Sequence, residues 1–140
     1  MDVYYLNTNG PDDTAILQGL RWLRNQCIAT GKEGIIATPQ KNSLTNALQN
    51  AGFEASSIRD LLRNEFVQTS QIRIRLLTTR VSFPRYHDGI VLVIHPNQKI
   101  LSTIDNLSEL TSALIIPWSV LEIQEWLTSK NATQIPIEVR

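Results

Sequence analysis

The sequence predicts an α/β fold in which a mostly parallel open sheet lies between two layers of helices. Four short segments are apolar throughout, as expected of strands that are covered on both faces. Each is followed by a polar junction and then by apolar residues at helical spacing. A fifth segment alternates apolar and charged residues, which is typical of a strand with one solvent-facing side. Strands that alternate with helices in this way favour a three-layer architecture.

The first predicted strand is Val3–Leu6, and the helix after it ends before Gly31, a natural helix terminator. Pro11 suits the first helical position. Asp12 and Asp13 then lie in the first turn, where carboxylates favour the positive end of the helix dipole. The apolar stripe of this helix consists of Ile16, Leu20, Leu23 and Cys27.

Three further strand–helix units follow the same pattern. Their strands are predicted at Gly34–Ala37, Ile90–Ile94 and Ala113–Ile116. In the last unit, Ser119 and Glu122 have the spacing of a capping box, which predicts a helix start. Apolar spacing predicts the other helices around Leu44–Ala51, over Ser57–Phe66 and through Ile100, Leu101 and Ile104.

In the segment Gln71–Leu77, apolar residues alternate with Arg73 and Arg75. The residues between it and the strand at Ile90–Ile94 are too few for the helix that usually joins parallel neighbours. This segment is therefore expected to run antiparallel to its successor or to lie at a sheet edge. Gln134–Val139 also alternates, and Pro136 confines that segment to an edge.

Length and composition predict one folded domain over residues 1–140. Hydrophobic residues make up 42% of the chain and charged residues 19%, which is ordinary globular usage. A closed barrel built from strand–helix units needs about twice this length. The predicted fold class is therefore a three-layer, Rossmann-like or flavodoxin-like open sheet, mostly parallel, with one antiparallel or edge strand.

Charge and targeting signals narrow the possible partners and compartment. Thirteen basic and thirteen acidic residues cancel, which argues against a general nucleic-acid or membrane binder. The first residues lack the basic and apolar regions of a signal peptide, and no apolar run is long enough to cross a bilayer. We expect a cytoplasmic protein.

The junctions after the apolar strands are the candidate ligand-binding site. Ligands of open α/β sheets bind outside the carboxyl ends of the strands. Helix N-termini with nearby lysines suit an anion, and a tryptophan can stack on a ring. Ordinary turn and capping chemistry explains the same residues without any ligand. The candidates are Asn7, Thr8, Asn9, Gly10, Thr38, Lys41, His95, Asn97, Lys99, Trp118 and Ser119.

The outline resembles Rossmann-like and helicase-type α/β domains, but the phosphate-binding fingerprints of such domains are absent. Neither G-x-x-x-x-G-K-[ST] nor G-x-G-x-x-G occurs, which argues against a P-loop or dinucleotide site. His87 and His95 lack the spacing of a metal site, so we predict no metal and no particular cofactor. Cys27, the single cysteine, excludes an internal disulfide and is expected to pack in the core.

Arginines form a second candidate surface. Arg73, Arg75, Arg80 and Arg85 lie close together in the sequence, and alternation places Arg73 and Arg75 on one strand face. Arginine suits bidentate contacts to carboxylate or phosphate, so these residues are a candidate partner surface. The alternative is a charged strand that resists edge-to-edge aggregation.

Two functions from different classes remain. The first is a non-catalytic module that binds a protein partner or a small anionic ligand at the carboxyl edge of the sheet. The second is a small hydrolase or transferase acting on a phosphorylated or nucleotide-like substrate. Missing catalytic signatures favour the first. If His95 contacts an anion, affinity should weaken as the pH rises from about 6 to 8, because histidine titrates near 6.5.

Overall fold

The computed structural model describes residues 1–39, 44–50, 52–68, 71–79, 88–107 and 109–138. Seven strands form one sheet, and helices lie on both of its faces. The strands are β1 (Asp2–Tyr5), β2 (Glu33–Ala37), β3 (Phe66–Gln68), β4 (Arg73–Leu77), β5 (Gly89–Ile94), β6 (Ser112–Ile116) and β7 (Thr133–Gln134). The helices are α1 (Asp13–Thr30), α2 (Thr45–Asn50), α3 (Ala55–Asn64), α4 (Gln98–Asp105) and α5 (Gln124–Ser129), the last preceded by a 3₁₀ turn, Val120–Ile123.

The strands lie in the order β3-β4-β2-β5-β6-β1-β7. Every neighbouring pair is parallel except β3 and β4, which are antiparallel. The predicted three-layer, mostly parallel open sheet with one antiparallel strand is therefore confirmed. The four predicted apolar strands are β1, β2, β5 and β6, and they are adjacent in the centre of the sheet.

The direction predicted for the alternating strand is wrong. β4 runs parallel to β2, and it pairs on its other side with the antiparallel edge strand β3. Phe66, which the apolar spacing placed in a helix, begins β3. β4 and β5 therefore run in the same direction, on opposite sides of β2. The predicted edge position is wrong as well, because β3 lies outside β4.

Two apolar layers hold the helices to the sheet. On the first face, alternate strand residues such as Ile36, Leu92 and Ile116 pack against α1, α2 and α3. On the second face, residues such as Ile35 and Val93 pack against α4 and α5. Strand side chains alternate between faces, so a strand covered by both layers must be apolar at every position.

The alternation in β4 follows from incomplete cover on the second face. Ile74 and Leu76 pack into the first layer, whereas Arg73 is exposed and Arg75 is half-buried. The second layer packs α4 and α5 mainly against β2, β5, β6 and β1, and it reaches β4 at its last residue, Leu77. The pattern therefore reported which face meets solvent, and it carried no information on strand direction.

Two predicted helix starts also need correction. The first cap is Asp12, whose carboxylate accepts a hydrogen bond from Ala15 N at 3.0 Å, so Pro11 precedes the helix instead of opening it. Ser119 makes no side-chain cap at the 3₁₀ turn, so the predicted capping box does not form. The predicted terminator is confirmed: Gly31 adopts φ 70° at the end of α1.

The last strand, β7, adds a two-residue edge next to β1. This confirms an edge position for the C-terminal segment, although β7 begins at Thr133 and stops before Pro136. Among the described residues, none of the helices combines the length and apolar character needed to cross a membrane.

Candidate functional site

The four candidate junctions follow β1, β2, β5 and β6, whose carboxyl ends lie side by side along one edge of the sheet. The chain leaves β1 and β2 towards the first helical layer, and it leaves β5 and β6 towards the second. Neighbouring strands whose chains leave to opposite faces open a crevice at the sheet edge. Such points occur here twice, between β6 and β1 and between β2 and β5.

The first of these points, between β6 and β1, is closed by the protein itself. The hydroxyl of Thr8 donates to the carbonyl of Pro117 at 2.5 Å, and Thr8 is only 3% exposed. The amide of Gly10 donates to the carbonyl of Trp118 at 2.7 Å, and Asn9 pairs with Ser119 in an antiparallel bridge. The β1 and β6 junctions therefore bond mainly to each other.

Gly10 allows this closure because it adopts φ 74°, a left-handed conformation that a side chain would strain. Four predicted ligand-binding residues, Thr8, Asn9, Gly10 and Ser119, take part in the closure. Asn7, immediately before them, is exposed. The sequence showed that these residues follow strand ends, but their pairing depends on β1 and β6 being neighbours.

His95, the residue after β5, is in an unusual state and contacts the β6 side of its strand. His95 has φ 46°, in the left-handed region that a non-glycine residue rarely adopts. Its amide continues the sheet by donating to the carbonyl of Ile116 at 2.8 Å. Among the buried side-chain nitrogen and oxygen atoms of the described residues, His95 Nε2 is the one without a hydrogen-bond partner.

Trp118 packs against the His95 ring. The two ring centroids are 5.2 Å apart and the planes meet at 78°, an edge-to-face contact. Trp118 remains 46% exposed, so much of its surface is open to another group. Burial lowers the pKa of His95 below its ordinary value, because the charged imidazolium loses hydration. The pH window predicted from the sequence therefore shifts downwards, to below about 6.5.

The start of α4 lies immediately after His95. Asn97 caps the helix, as the sequence predicts, by accepting a hydrogen bond from Ile100 N at 2.9 Å. The amides of Gln98 and Lys99, in the first turn, have no partner within the helix. Lys99 is exposed, so its ammonium group adds a positive charge near this helix start.

Thr38 follows β2, which pairs with β5 on the side away from β6. It is 2% exposed, and its amide donates to the carbonyl of Leu77 at 3.0 Å, which extends the β2–β4 pairing. Four other predicted or considered residues, Lys41, Arg80, Arg85 and His87, lie outside the described residues.

The arginines of β4 engage groups of the same chain. Arg75 forms an ion pair with Glu33 of β2, and its guanidinium lies 5.0 Å from the centroid of the Phe66 ring. Arg73 lies 5.9 Å from the same centroid, so the two arginines share one strand face as the alternation predicted. These contacts join β4 to both of its neighbours and leave a role in partner binding as a prediction.

A hollow at the opposite edge of the sheet was not foreseen from the sequence. It has a volume of about 180 Å³ and includes Cys27, Lys32, Glu33 and Arg73 in its lining. Cys27 is 2% exposed, and burial, followed by the charge of Glu33, raises the pKa of its thiol to about 11. A thiol in that state is protonated at neutral pH, so Cys27 packs and is a poor nucleophile.

The described residues contain no group of three or more histidine, cysteine, aspartate or glutamate side chains that could hold a metal ion. No protein-family model matches this sequence. The search of curated proteins also finds no match.

Proposed function

We propose that the chain is a non-catalytic binding module that holds a small anionic ligand at the tip of β5. The observation that carries this proposal is His95 Nε2, which is buried and unpartnered in a residue with φ 46°. A buried polar atom without a partner costs about 1–3 kcal/mol, and a left-handed backbone at a non-glycine residue adds a further cost. Costs of this kind concentrate at binding sites, where a ligand supplies the missing partner.

The surrounding groups favour an anion with a flat portion. A phosphate or carboxylate would accept hydrogen bonds from the first-turn amides of α4, and Lys99 would offset its charge. Nε2 of a neutral imidazole donates in one tautomer, so His95 can contribute without being charged. The exposed surface of Trp118 would pack against a ring of the ligand.

A thermal-shift panel of inorganic phosphate, nucleoside monophosphates and sugar phosphates tests this proposal. A ligand that binds only the folded state raises stability by about 2.7 kcal/mol at a hundredfold excess over Kd. We expect at least one compound to raise the Tm, and Lys99→Gln to reduce this shift. Lys32→Gln is the matched control, because Lys32 pairs with Asp88 at the opposite edge of the sheet.

His95→Gln should remove most of the ligand-induced shift while the unliganded protein still melts cooperatively. An unchanged shift in His95→Gln, or an equal loss in Lys32→Gln, would exclude the β5 tip as the site. Incubation of the binding compound with the protein, followed by product analysis, separates this proposal from the hydrolase or transferase alternative. A binder that is recovered intact supports the binding module.

A further inference from the structure

Residues 135–138 form a C-terminal strap that lies across the β1 edge and α1. The amide of Ile135 donates to the carbonyl of Tyr5 at 2.9 Å, which extends the pairing between β7 and β1. Ile135 and Ile137 pack at the margin of the first apolar layer, as do Tyr4 and Trp22. The strap therefore covers one end of that layer.

Gln18 of α1 binds the backbone of the strap at two points. Its side-chain nitrogen donates to the carbonyl of Pro136 at 3.0 Å, and its side-chain oxygen accepts from the amide of Glu138 at 2.9 Å. Pairing with the carbonyl of one residue and the amide two residues later is how a neighbouring strand recognises an extended chain. Gln18 is 7% exposed, so its carboxamide is costly to leave unpaired and requires such an occupant.

An ion pair fixes the end of the strap. Arg21 Nη2 lies 2.5 Å from Glu138 Oε2, and the two side chains are 48% and 54% exposed, respectively. An ion pair this exposed adds little affinity, but it favours an acidic residue at this position. The surface formed by β1, Gln18, Arg21 and Trp22 is here called the strap groove. It holds an extended segment with apolar residues at 135 and 137 and an acidic residue at 138.

The segment that enters the strap groove is joined to α5 by a tight turn. Asn131 has φ 52°, its amide donates to the carbonyl of Thr128, and the amide of Ala132 donates to the carbonyl of Leu127. This is a Schellman ending with asparagine in the position that glycine usually takes. The hinge between α5 and β7 is short, residues 130–132, and a short hinge favours exchange of the segment beyond it.

We propose that the strap groove accepts residues 133–138 from a second copy of this chain in exchange for its own. The β7–β1 pairing, the two Gln18 hydrogen bonds and the Arg21–Glu138 ion pair all join residues beyond the hinge to β1 or α1. The same contacts therefore form when the segment comes from another molecule. Reciprocal exchange gives a closed, two-fold symmetric dimer. This inference is independent of the anion site at the β5 tip.

Competition with the chain's own strap sets the conditions for exchange. A short tether gives the strap an effective concentration in the millimolar range, so the intact protein stays monomeric when dilute. Exchange becomes visible when one copy has a defective groove and the other has a defective strap, because neither copy can then pair an intact groove with its own intact strap.

The experiment mixes two full-length variants. Gln18→Leu with Arg21→Glu disables the groove and leaves the strap intact, whereas Ile137→Asp with Glu138→Arg disables the strap and leaves the groove intact. We expect each variant alone to sediment as a monomer, and a one-to-one mixture to form a heterodimer whose fraction rises with concentration. In two control mixtures, each variant is combined with an Ile28→Gln chain that carries a mass tag. These mixtures report any association that does not depend on complementary defects.

Sedimentation of the complementary mixture as monomers up to about 1 mM, with both variants melting cooperatively, would overturn the proposal. Equal dimerisation in the control mixtures would also overturn it. If the doubly substituted strap variant does not fold, Glu138→Arg alone replaces it, paired with Arg21→Glu alone. Because the Arg21–Glu138 ion pair is exposed, this second mixture is measured by exchange of a labelled chain: a heterodimer in the mixture that is absent from both single variants supports exchange, and labelled chains that stay monomeric up to about 1 mM refute it.

Discussion

The junctions after β1 and β6 contrast with the junction after β5, although all three follow parallel strands at the same sheet edge. At β1 and β6, the polar groups bond across the gap through Thr8, Gly10 and their partners. At β5, His95 keeps a buried Nε2 without a partner among the described residues. Similar polar residues after similar strands thus bond to each other in one place and leave one buried nitrogen without a partner in the other.

The contrast teaches that an unsatisfied group is more informative than a polar one. A polar residue after a strand is expected from turn chemistry alone. A buried nitrogen that no neighbour satisfies is rare, and it indicates where a ligand would contribute most. Four predictions test this contrast, from the largest expected effect to the smallest.

Thr8→Val should destabilise the protein most. The substitution keeps the shape of the side chain but leaves the buried carbonyl of Pro117 without its hydrogen bond, at a cost of about 1–3 kcal/mol. Urea unfolding measures the loss. Thr111→Val, at an exposed position, is the control. An equal, small change in both variants would mean that the closure contributes nothing.

His95→Asn should change stability by about 1 kcal/mol or less, in either direction. Asparagine tolerates the left-handed backbone, and it removes the buried ring nitrogen, but the edge-to-face contact with Trp118 is lost. Urea unfolding beside Thr8→Val makes the comparison direct. A loss as large as that of Thr8→Val would show that His95 is as structural as the closed junction.

Stability should fall on acidification in a manner that depends on His95. Its pKa is lowered in the folded chain, so below about 6.5 the unfolded state binds more protons than the folded state. This contribution is fully present above about 6.5 and is lost as the pH falls through the lowered pKa. Urea unfolding from about pH 7.5 to 5 measures the slope, which should be shallower in His95→Gln. Equal slopes in the two proteins would refute a role for His95.

Arg75→Gln should have the smallest effect on the free energy of unfolding, about 0.2–1 kcal/mol, because its ion pair with Glu33 is partly exposed.

Replacing Arg73 and Arg75 with glutamate tests the partner surface separately. If these arginines bind a partner, the wild-type protein should retain that partner in a pull-down and the doubly substituted protein should lose it. Retention of every partner by the substituted protein would leave these arginines with only their contacts to Phe66 and Glu33.

Much of the fold follows from local patterns that the sequence states directly. After their first residues, β2, β5 and β6 are apolar throughout because both of their faces are covered, and that pattern located them to within a residue. Asn97 and Gly31 marked a helix start and a helix end because caps act within a few residues. The positions after these strands were predicted for the same reason.

What only the tertiary structure decided depends on which elements become neighbours. The direction of β4, the pairing of Thr8 with Pro117 and the unpartnered nitrogen of His95 all depend on strand order. Hydrophobic periodicity records whether a side chain is buried, but it does not record which strand lies beside it. The sequence by itself therefore determined the elements and the edge at which the candidate residues lie. Long-range packing determined which of those residues find hydrogen-bond partners within the chain.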